Sequence, residues 1–515
     1  MDACAARAML TLDGRSLDLE DVVRVARGRE KVRLSSEGAK RVDASRRALE
    51  RIVAKGSVAY GIKTGFGELA NVVIPDADVR RLQLNLLRSH AVGQGERLGT
   101  DEVRAALLLR SNTFAIGYSG VRRVLVDLLT EMLNRGVHPV VPSRGSLGAS
   151  GDLAPLAHMG LVLVGEGRAE VGGDVLSGKK ALAQAGLRPI ALEAKEGIAV
   201  INGTSVMAGV GALVAHDGLA LLKDAQVAAS MSFEALRGSP QPYDDRIVSL
   251  KPHPGAREVA GNLRRLLRGS EIVPSHKGPH RVQDPYTLRC IPQVLGACRA
   301  ALDAAADAVR IEMNAATDNP LILPEGGESL SGGNFHGQAL AMALDHVALA
   351  MAVLAGFAER RLARLVDTRL SELPAFLTKE GGLNSGMMLL QYVAAGYASE
   401  NKVLAHPASA DSIPTSANQE DFVPMGMAAA LKARAALGNT AHVVALEYLA
   451  AAQGLEFLRP LKPGVGPRAA VARIREAIPP LEEDRAMSEE VERILGWMKE
   501  GDLVRAAEKA AGRLA

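Results

Sequence analysis

This chain of 515 residues has little of several things that usually announce a function. It has three cysteines, Cys4, Cys290 and Cys298, and none stands in a CxxC spacing. That excludes a disulfide framework and a thiolate metal site, predicts no metal, and fits a reducing, cytoplasmic setting. Aromatic residues make up only 3%, so its helices should pack through aliphatic ridges rather than stacked rings. The formal net charge is +3, too small over this length to favour nucleic acid or an anionic membrane as partner. The N-terminal stretch, with Asp2, Arg7 and Asp13, lacks the apolar core of a signal peptide. One run, Ala339 to Ala358, is apolar enough to pass for a membrane span. Asp345 and His346 interrupt it and Glu359-Arg360-Arg361 follow, so it reads as a central helix of a bundle. No internal repeat and no low-complexity tract occurs.

What is present is the composition of a globular protein, 48% hydrophobic and 23% charged, and long enough for two regions. Residues 1–200 mix short elements with glycine-rich turns. Leu161 to Val164 and Ala169 to Val171 read there as short strands around Gly165-Glu-Gly167. Residues 201–515 are rich in alanine and leucine, strong helix formers. Long helices are predicted over Val206–Met231, Gln293–Asn314, Gln338–Val366 and Met427–Gly454, with a further start at Ser488. The expected fold is mainly α: a long-helix bundle (201–515) with a smaller mixed N-terminal region (1–200).

The segment Gly145-Ser-Leu-Gly-Ala-Ser-Gly-Asp-Leu-Ala-Pro155 carries the most chemistry. Small residues between glycines let a backbone nitrogen approach a carbonyl carbon. Attack of the Gly151 nitrogen on the Ala149 carbonyl, with loss of water, closes a five-membered ring. Loss of the Ser150 hydroxyl as a second water leaves an exocyclic methylene, an electrophile that no side chain supplies. Asp152 reads as an N-cap with Leu153-Ala-Pro155 as first turn, placing a helix dipole nearby. An ordinary loop and cap would use similar residues. A serine-nucleophile elbow would not, since Asp152 stands where that motif needs glycine.

The surrounding segments decide between these. The loop, together with Tyr60-Gly-Ile-Lys-Thr-Gly-Phe-Gly67, Ser89-His-Ala-Val-Gly93, Ile201-Asn-Gly-Thr204, Val282 to Arg289, Asn334-Phe-His-Gly337 and His406 to Asp421, resembles the aromatic amino acid ammonia-lyases and 2,3-aminomutases. The resemblance runs along nearly the whole chain, with its motifs in order. It implies a methylidene-imidazolone prosthetic group formed from Ala149, Ser150 and Gly151, no external cofactor, and a homotetramer whose active sites are shared between subunits. It implies Tyr60 as the base that takes the β-hydrogen. A phenol near its reference pKa of about 10 would need nearby positive charge or donors for that. It also implies Arg289 on the substrate carboxylate, with Tyr286 on the same face if that piece is helical. Gln283 and Asn202 would contact the ligand and Phe335 would wall the pocket.

Substrate choice rests on His90 and Glu420. The Ser89-His90 pair resembles the histidine-using branch of the family. A carboxylate facing an imidazole N–H makes a charge-assisted hydrogen bond of about 1.5–3 kcal/mol, whereas against a phenyl ring it would be buried unpartnered. The resemblance therefore implies a small-molecule substrate, L-histidine, converted to trans-urocanate and ammonia. The alternatives are a lyase or aminomutase acting on another aromatic amino acid, and a helical scaffold that kept the fold without the chemistry. Ser205, Phe422 and Pro424 depart from the histidine-branch pattern, Ser205 toward the aminomutases. They leave the triplet untouched.

Overall fold

A computed structural model of the chain describes residues 9–55, 64, 72–276 and 282–515. Tyr60 and most of its glycine-rich turn lie outside the described residues. The architecture is mainly α, as expected. Helices that bear on the site are α1 (Val79–His90), α2 (Thr100–Ile116), α3 (Leu153–Leu163), α4 (Ser205–Ala235), α5 (Tyr286–Arg289), α6 (Ile291–Glu312), α7 (Gln338–Val366), α8 (Met388–Leu404) and α9 (Gly426–Glu456). The four long helices expected from sequence are α4, α6, α7 and α9, each within a few residues of its predicted bounds.

The chain divides into two compact units, each discontinuous in sequence. One comprises residues 1–216, 305–345 and 407–431; the other comprises 217–304, 346–406 and 432–515. The division differs from a cut at residue 200, because four long helices contribute residues to both units. The described strands all lie in the first unit. Leu10–Leu12 pairs in parallel with Val32–Leu34, and Gln94–Arg97 runs antiparallel to Pro142–Arg144. His138–Pro139, Arg168–Val171 and Asp174–Ser177 form a small antiparallel sheet, and Leu321–Leu323 pairs with Glu328–Leu330. The strand expected near Ala169 is present. The one expected at Leu161–Val164 is not: Leu161–Leu163 is the last turn of α3. A four-residue apolar run fits either state, and here the preceding residues already carry a helix into it.

In the first unit α2 is buried along nearly its whole length, polar Arg104, Arg110, Ser111 and Asn112 included. It starts where the Glu102 carboxylate accepts from the Gly99 N–H at 2.8 Å, and it stops at left-handed Gly117. Two buried ion pairs hold the interior. Lys195 Nζ meets Asp318 at 2.8 Å in the first unit, both fully buried. In the second unit, Arg361 on α7 grips Glu447 on α9 through two bonds, at 2.6 and 2.8 Å, and Ser232 on α4 donates to the same carboxylate at 2.7 Å. Such a node fixes the register of three helices that alanine and leucine alone would leave free to slide.

The apolar helices α4 and α7 are both long enough to span a membrane. The most apolar stretch of α4 is 78% buried, as a core helix should be. In α7 the corresponding share is 56%, and Met342, Leu349 and Val353 face outward. Those positions fall at i, i+7 and i+11, one stripe of the helix. Leu389, Tyr392 and Val393 on α8 are exposed as well.

Candidate active site

The Ala149-Ser150-Gly151 triplet lies immediately before α3, in a loop on which the N-termini of four helices converge. The Gly337 N–H, just ahead of α7, donates to the Gly148 carbonyl at 3.0 Å. That of Gly426, opening α9, reaches the Leu147 carbonyl at 3.3 Å. Val206 and Met207, in the first turn of α4, donate to Asp152 Oδ2 at 2.9 and 2.8 Å. Helix N-termini carry partial positive charge, so this loop sits where developing negative charge is favoured.

Asp152 holds the expected place at the start of α3, but its side chain does not cap that helix. Its carboxylate instead caps α4 and accepts the Ser146 hydroxyl at 2.8 Å. It is fully buried, and burial raises its pKa to about 6 against the opposing pull of those donors and of Arg110.

Gly151 has a φ of +77° and pairs as an isolated parallel bridge with Gly203. A Cβ at 151 would lie 2.1 Å from the Gly203 carbonyl oxygen, so no side chain fits there. Ala149 is buried against Val423 and Met425, leaving Ser150 half-buried. The Ser150 carbonyl oxygen accepts from Asn202 Nδ2 at 2.8 Å and from the Gly203 N–H at 3.3 Å. Two donors on one carbonyl oxygen make an oxyanion-type site. On the other side, the Ser150 hydroxyl donates to Glu420 Oε1 at 2.6 Å.

Glu420 is presented by a strained turn. Ser416, Ala417 and Asn418 take φ values of +51°, +52° and +66°, the left-handed region that side-chain-bearing residues seldom adopt. Backbone hydrogen bonds between Thr415 and Glu420 close the turn, and the Thr415 hydroxyl donates to Glu420 Oε2 at 2.8 Å. Strain of about 1–3 kcal/mol per residue persists only where surroundings over-determine it, and such places are often functional. Both carboxylate oxygens therefore have a hydroxyl partner.

His90 ends α1. Its Nδ1 lies 2.9 Å from the Leu86 carbonyl, which can only accept, so the proton sits on Nδ1 and Nε2 is left as an acceptor. Burial lowers its pKa, against smaller opposing effects from the Leu86 carbonyl and the charge of Glu420. Phe335 is half-buried in the turn before α7 that Gly337 ties to Gly148. Phe422 stacks on His336 with ring centres 6.3 Å apart, while Pro424 and Ser205 are buried beside the loop.

The first unit thus brings together Ala149, Ser150, Gly151, Asn202 and Glu420, with His90 close enough to feel the Glu420 charge. Phe335 belongs to the same unit, and the second unit holds Gln283, Tyr286 and Arg289. Tyr286 and Arg289 are the ends of α5, with the guanidinium 5.2 Å from the tyrosine ring centre, so the two share a face as expected. Arg289 Nη1 also donates to Gln283 Oε1. Gln283 and Arg289 line a cavity of about 760 Å³ that includes His276, Asp284 and Cys290. Among the described residues no group of three or more histidine, cysteine or acidic side chains could hold a metal.

Sequence reasoning gave no role to Thr415, five residues from Glu420 across a turn, to Gly203, some fifty residues beyond the loop it meets, or to Arg110 in the middle of α2. The ring-forming reading passes a physical test in these surroundings. The triplet has side-chain-free space at Gly151, donors on the Ser150 carbonyl and a carboxylate on the Ser150 hydroxyl.

Comparison with known proteins agrees along the whole chain. The family model for aromatic amino acid lyases matches residues 17–476. A histidine ammonia-lyase from Gloeobacter violaceus is 53% identical over 506 residues, 98% of each chain. Another, from Symbiobacterium thermophilum, is 51% identical over 97% of this chain and 99% of its own. Among solved structures, histidine ammonia-lyase from Trypanosoma cruzi superposes with a TM-score of 0.91 at 37% identity, covering 98% of this chain and 96% of that one. Tyrosine aminomutase from Streptomyces globisporus superposes with a TM-score of 0.94 at 36% identity, covering 99% and 100%. With the triplet, its oxyanion-type donors and the Glu420 turn in place, the chain belongs to the aromatic amino acid lyase family.

Proposed function

We propose that this chain eliminates ammonia from L-histidine to give trans-urocanate, using an electrophile formed from its own Ala149, Ser150 and Gly151. The observation that carries the reading is the Glu420 carboxylate, held by Thr415 and set against Ser150, with its charge within reach of His90. The curated relatives at about half identity carry the same activity in their names.

The methylidene-imidazolone group supplies an electrophilic methylene, which an ammonia elimination needs because an amine leaves poorly. The residues around it divide the remaining work. Asn202 Nδ2 and the Gly203 N–H polarise the Ser150 carbonyl and stabilise charge drawn onto its oxygen. The helix N-termini around the loop act in the same direction. Glu420 accepts the single N–H of the substrate imidazole, with His90 beside it. A phenyl ring has no N–H to give, which favours histidine over phenylalanine.

Arg289 presents its planar fork to the substrate carboxylate, oriented by Gln283, and Tyr286 brings a hydroxyl beside it. Tyr60 is the base for the β-hydrogen, and Phe335 closes the apolar side of the pocket. The working form is a homotetramer in the cytoplasm with sites shared between copies. Its support is the uncovered apolar stripe of α7 and α8, which water disfavours by about 25 cal/mol per Å². Tyr286, 71% exposed, stands open to a second copy of the chain.

Incubating the purified protein with single L-amino acids tests the reading. Urocanate absorbance with free ammonia from histidine alone is expected. Formation of a β-amino acid without ammonia, or faster turnover of phenylalanine or tyrosine, contradicts it.

A further inference from the structure

The Asn202–Gly203 peptide unit is engaged at both ends. Its N–H faces the Ser150 carbonyl at 3.3 Å, and its C=O accepts from Arg110 Nη1 at 2.8 Å. Arg110 lies on α2, is 1% exposed, and its guanidinium sits 4.7 Å from the Phe114 ring centre. Gly203 has a φ of +129°, and a Cβ there would stand 2.6 Å from Arg110 Nη1. The glycine is what lets the cation come this close. Burial pulls the Arg110 pKa down to about 10, with Asp318 and Asp152 opposing, so the group is charged at neutral pH. Burying a cation here costs several kcal/mol that a methionine of similar size would not.

We propose that Arg110 is a positioning residue for the reaction, polarising the Asn202–Gly203 peptide so that its N–H, and the Asn202 amide anchored on the same peptide, act more strongly on the Ser150 carbonyl. The path is continuous: Arg110 Nη1–H to Asn202 O, then Gly203 N–H to Ser150 O. Each bond in such a chain strengthens the next by about 10–30%, more effectively away from water. A cation at the far end draws electron density from the Ser150 carbonyl, and so from any double bond conjugated with it. Fixing that peptide also fixes the position from which Asn202 Nδ2 donates. The inference rests on the proposed self-formed electrophile.

The test compares Arg110→Met, Arg110→Gln and Arg110→Lys with the parent, each checked for ring formation by intact mass and normalised to the dehydrated fraction. Two rates are read. One is histidine turnover, as kcat and KM separately. The other is reduction by borohydride, which delivers hydride to the Ser150 β-carbon while water supplies a proton, adding about 2 Da. For Arg110→Met both kcat and the borohydride rate should fall about 10-fold, short of the ~10²-fold or more for losing a donor outright. KM should stay within about 3-fold, since the residue does not meet substrate. Arg110→Lys should recover part of both rates, and Arg110→Gln, a neutral donor, should fall between. A merely structural role lowers Tm without slowing borohydride on the folded, dehydrated protein.

Ring-bearing Arg110→Met, or Arg110→Gln if the methionine variant does not fold, with both rates within two-fold of the parent overturns the inference. So does a loss confined to KM. Folded variants that stay at full mass while the parent dehydrates also overturn it, because Arg110 would then serve ring closure. A parent at full sequence mass would instead overturn the underlying electrophile and this inference with it.

Discussion

The Ser150 hydroxyl and the Glu420 carboxylate meet at 2.6 Å although 270 residues of chain separate them. The meeting is arranged by structure on both sides. The missing side chain of Gly151 lets the Gly203 backbone close in behind the triplet, and three left-handed residues turn Glu420 toward it.

Glu420→Gln keeps the shape but removes the charge. Loss of a charge-assisted bond of about 1.5–3 kcal/mol should lower kcat/KM for histidine roughly 10- to 100-fold. Any activity on phenylalanine, whose ring has no N–H to donate, should change far less. Kinetics on both substrates check this, and equal losses would count against an imidazole facing Glu420.

The Arg361–Glu447–Ser232 node is a matter of stability rather than chemistry. Glu447→Gln leaves the fully buried Arg361 cation without its counter-charge, an arrangement costing about 3–5 kcal/mol. Denaturant unfolding should show a matching loss with m unchanged. A variant as stable as the parent would mean the pair is no better than a neutral contact.

Asp224 gives a pH prediction. It is buried beside the Tyr448 hydroxyl, and burial raises its pKa to about 8. A carboxyl raised in the folded state binds its proton there when the unfolded chain has already lost it. Stability therefore falls as pH rises from about 4 to about 8 and levels off above. Asp224→Asn has no such proton to lose. Its Tm relative to the parent should climb across that window and then stay constant. A difference in Tm that is flat with pH would contradict the assignment.

Much of this was legible in the residues themselves. The long helices follow from alanine- and leucine-rich runs, and α7 matches its expected bounds, starting just after a glycine-rich turn. The triplet, Asn202, Arg289 and Glu420 stood in recognisable segments. What sequence could not display was who holds them. Asp152 looks like a cap for its own helix, yet it serves α4, some fifty residues on, because α4's first N–H groups reach the buried carboxylate. Arg110 reads as one more charge on a helix until that helix proves buried on every side. Leu161–Val164 misled because a short apolar run carries no period of its own.

The central claim is that residues 149–151 condense into the reactive centre, and peptide-level mass of that segment tests it most directly. The account predicts a segment about 36 Da lighter than its sequence, two waters lost, in active enzyme. Ser150→Ala should remove the methylene and, with it, turnover by several orders of magnitude. Full sequence mass across 149–151 in protein that still releases ammonia from histidine would contradict the account.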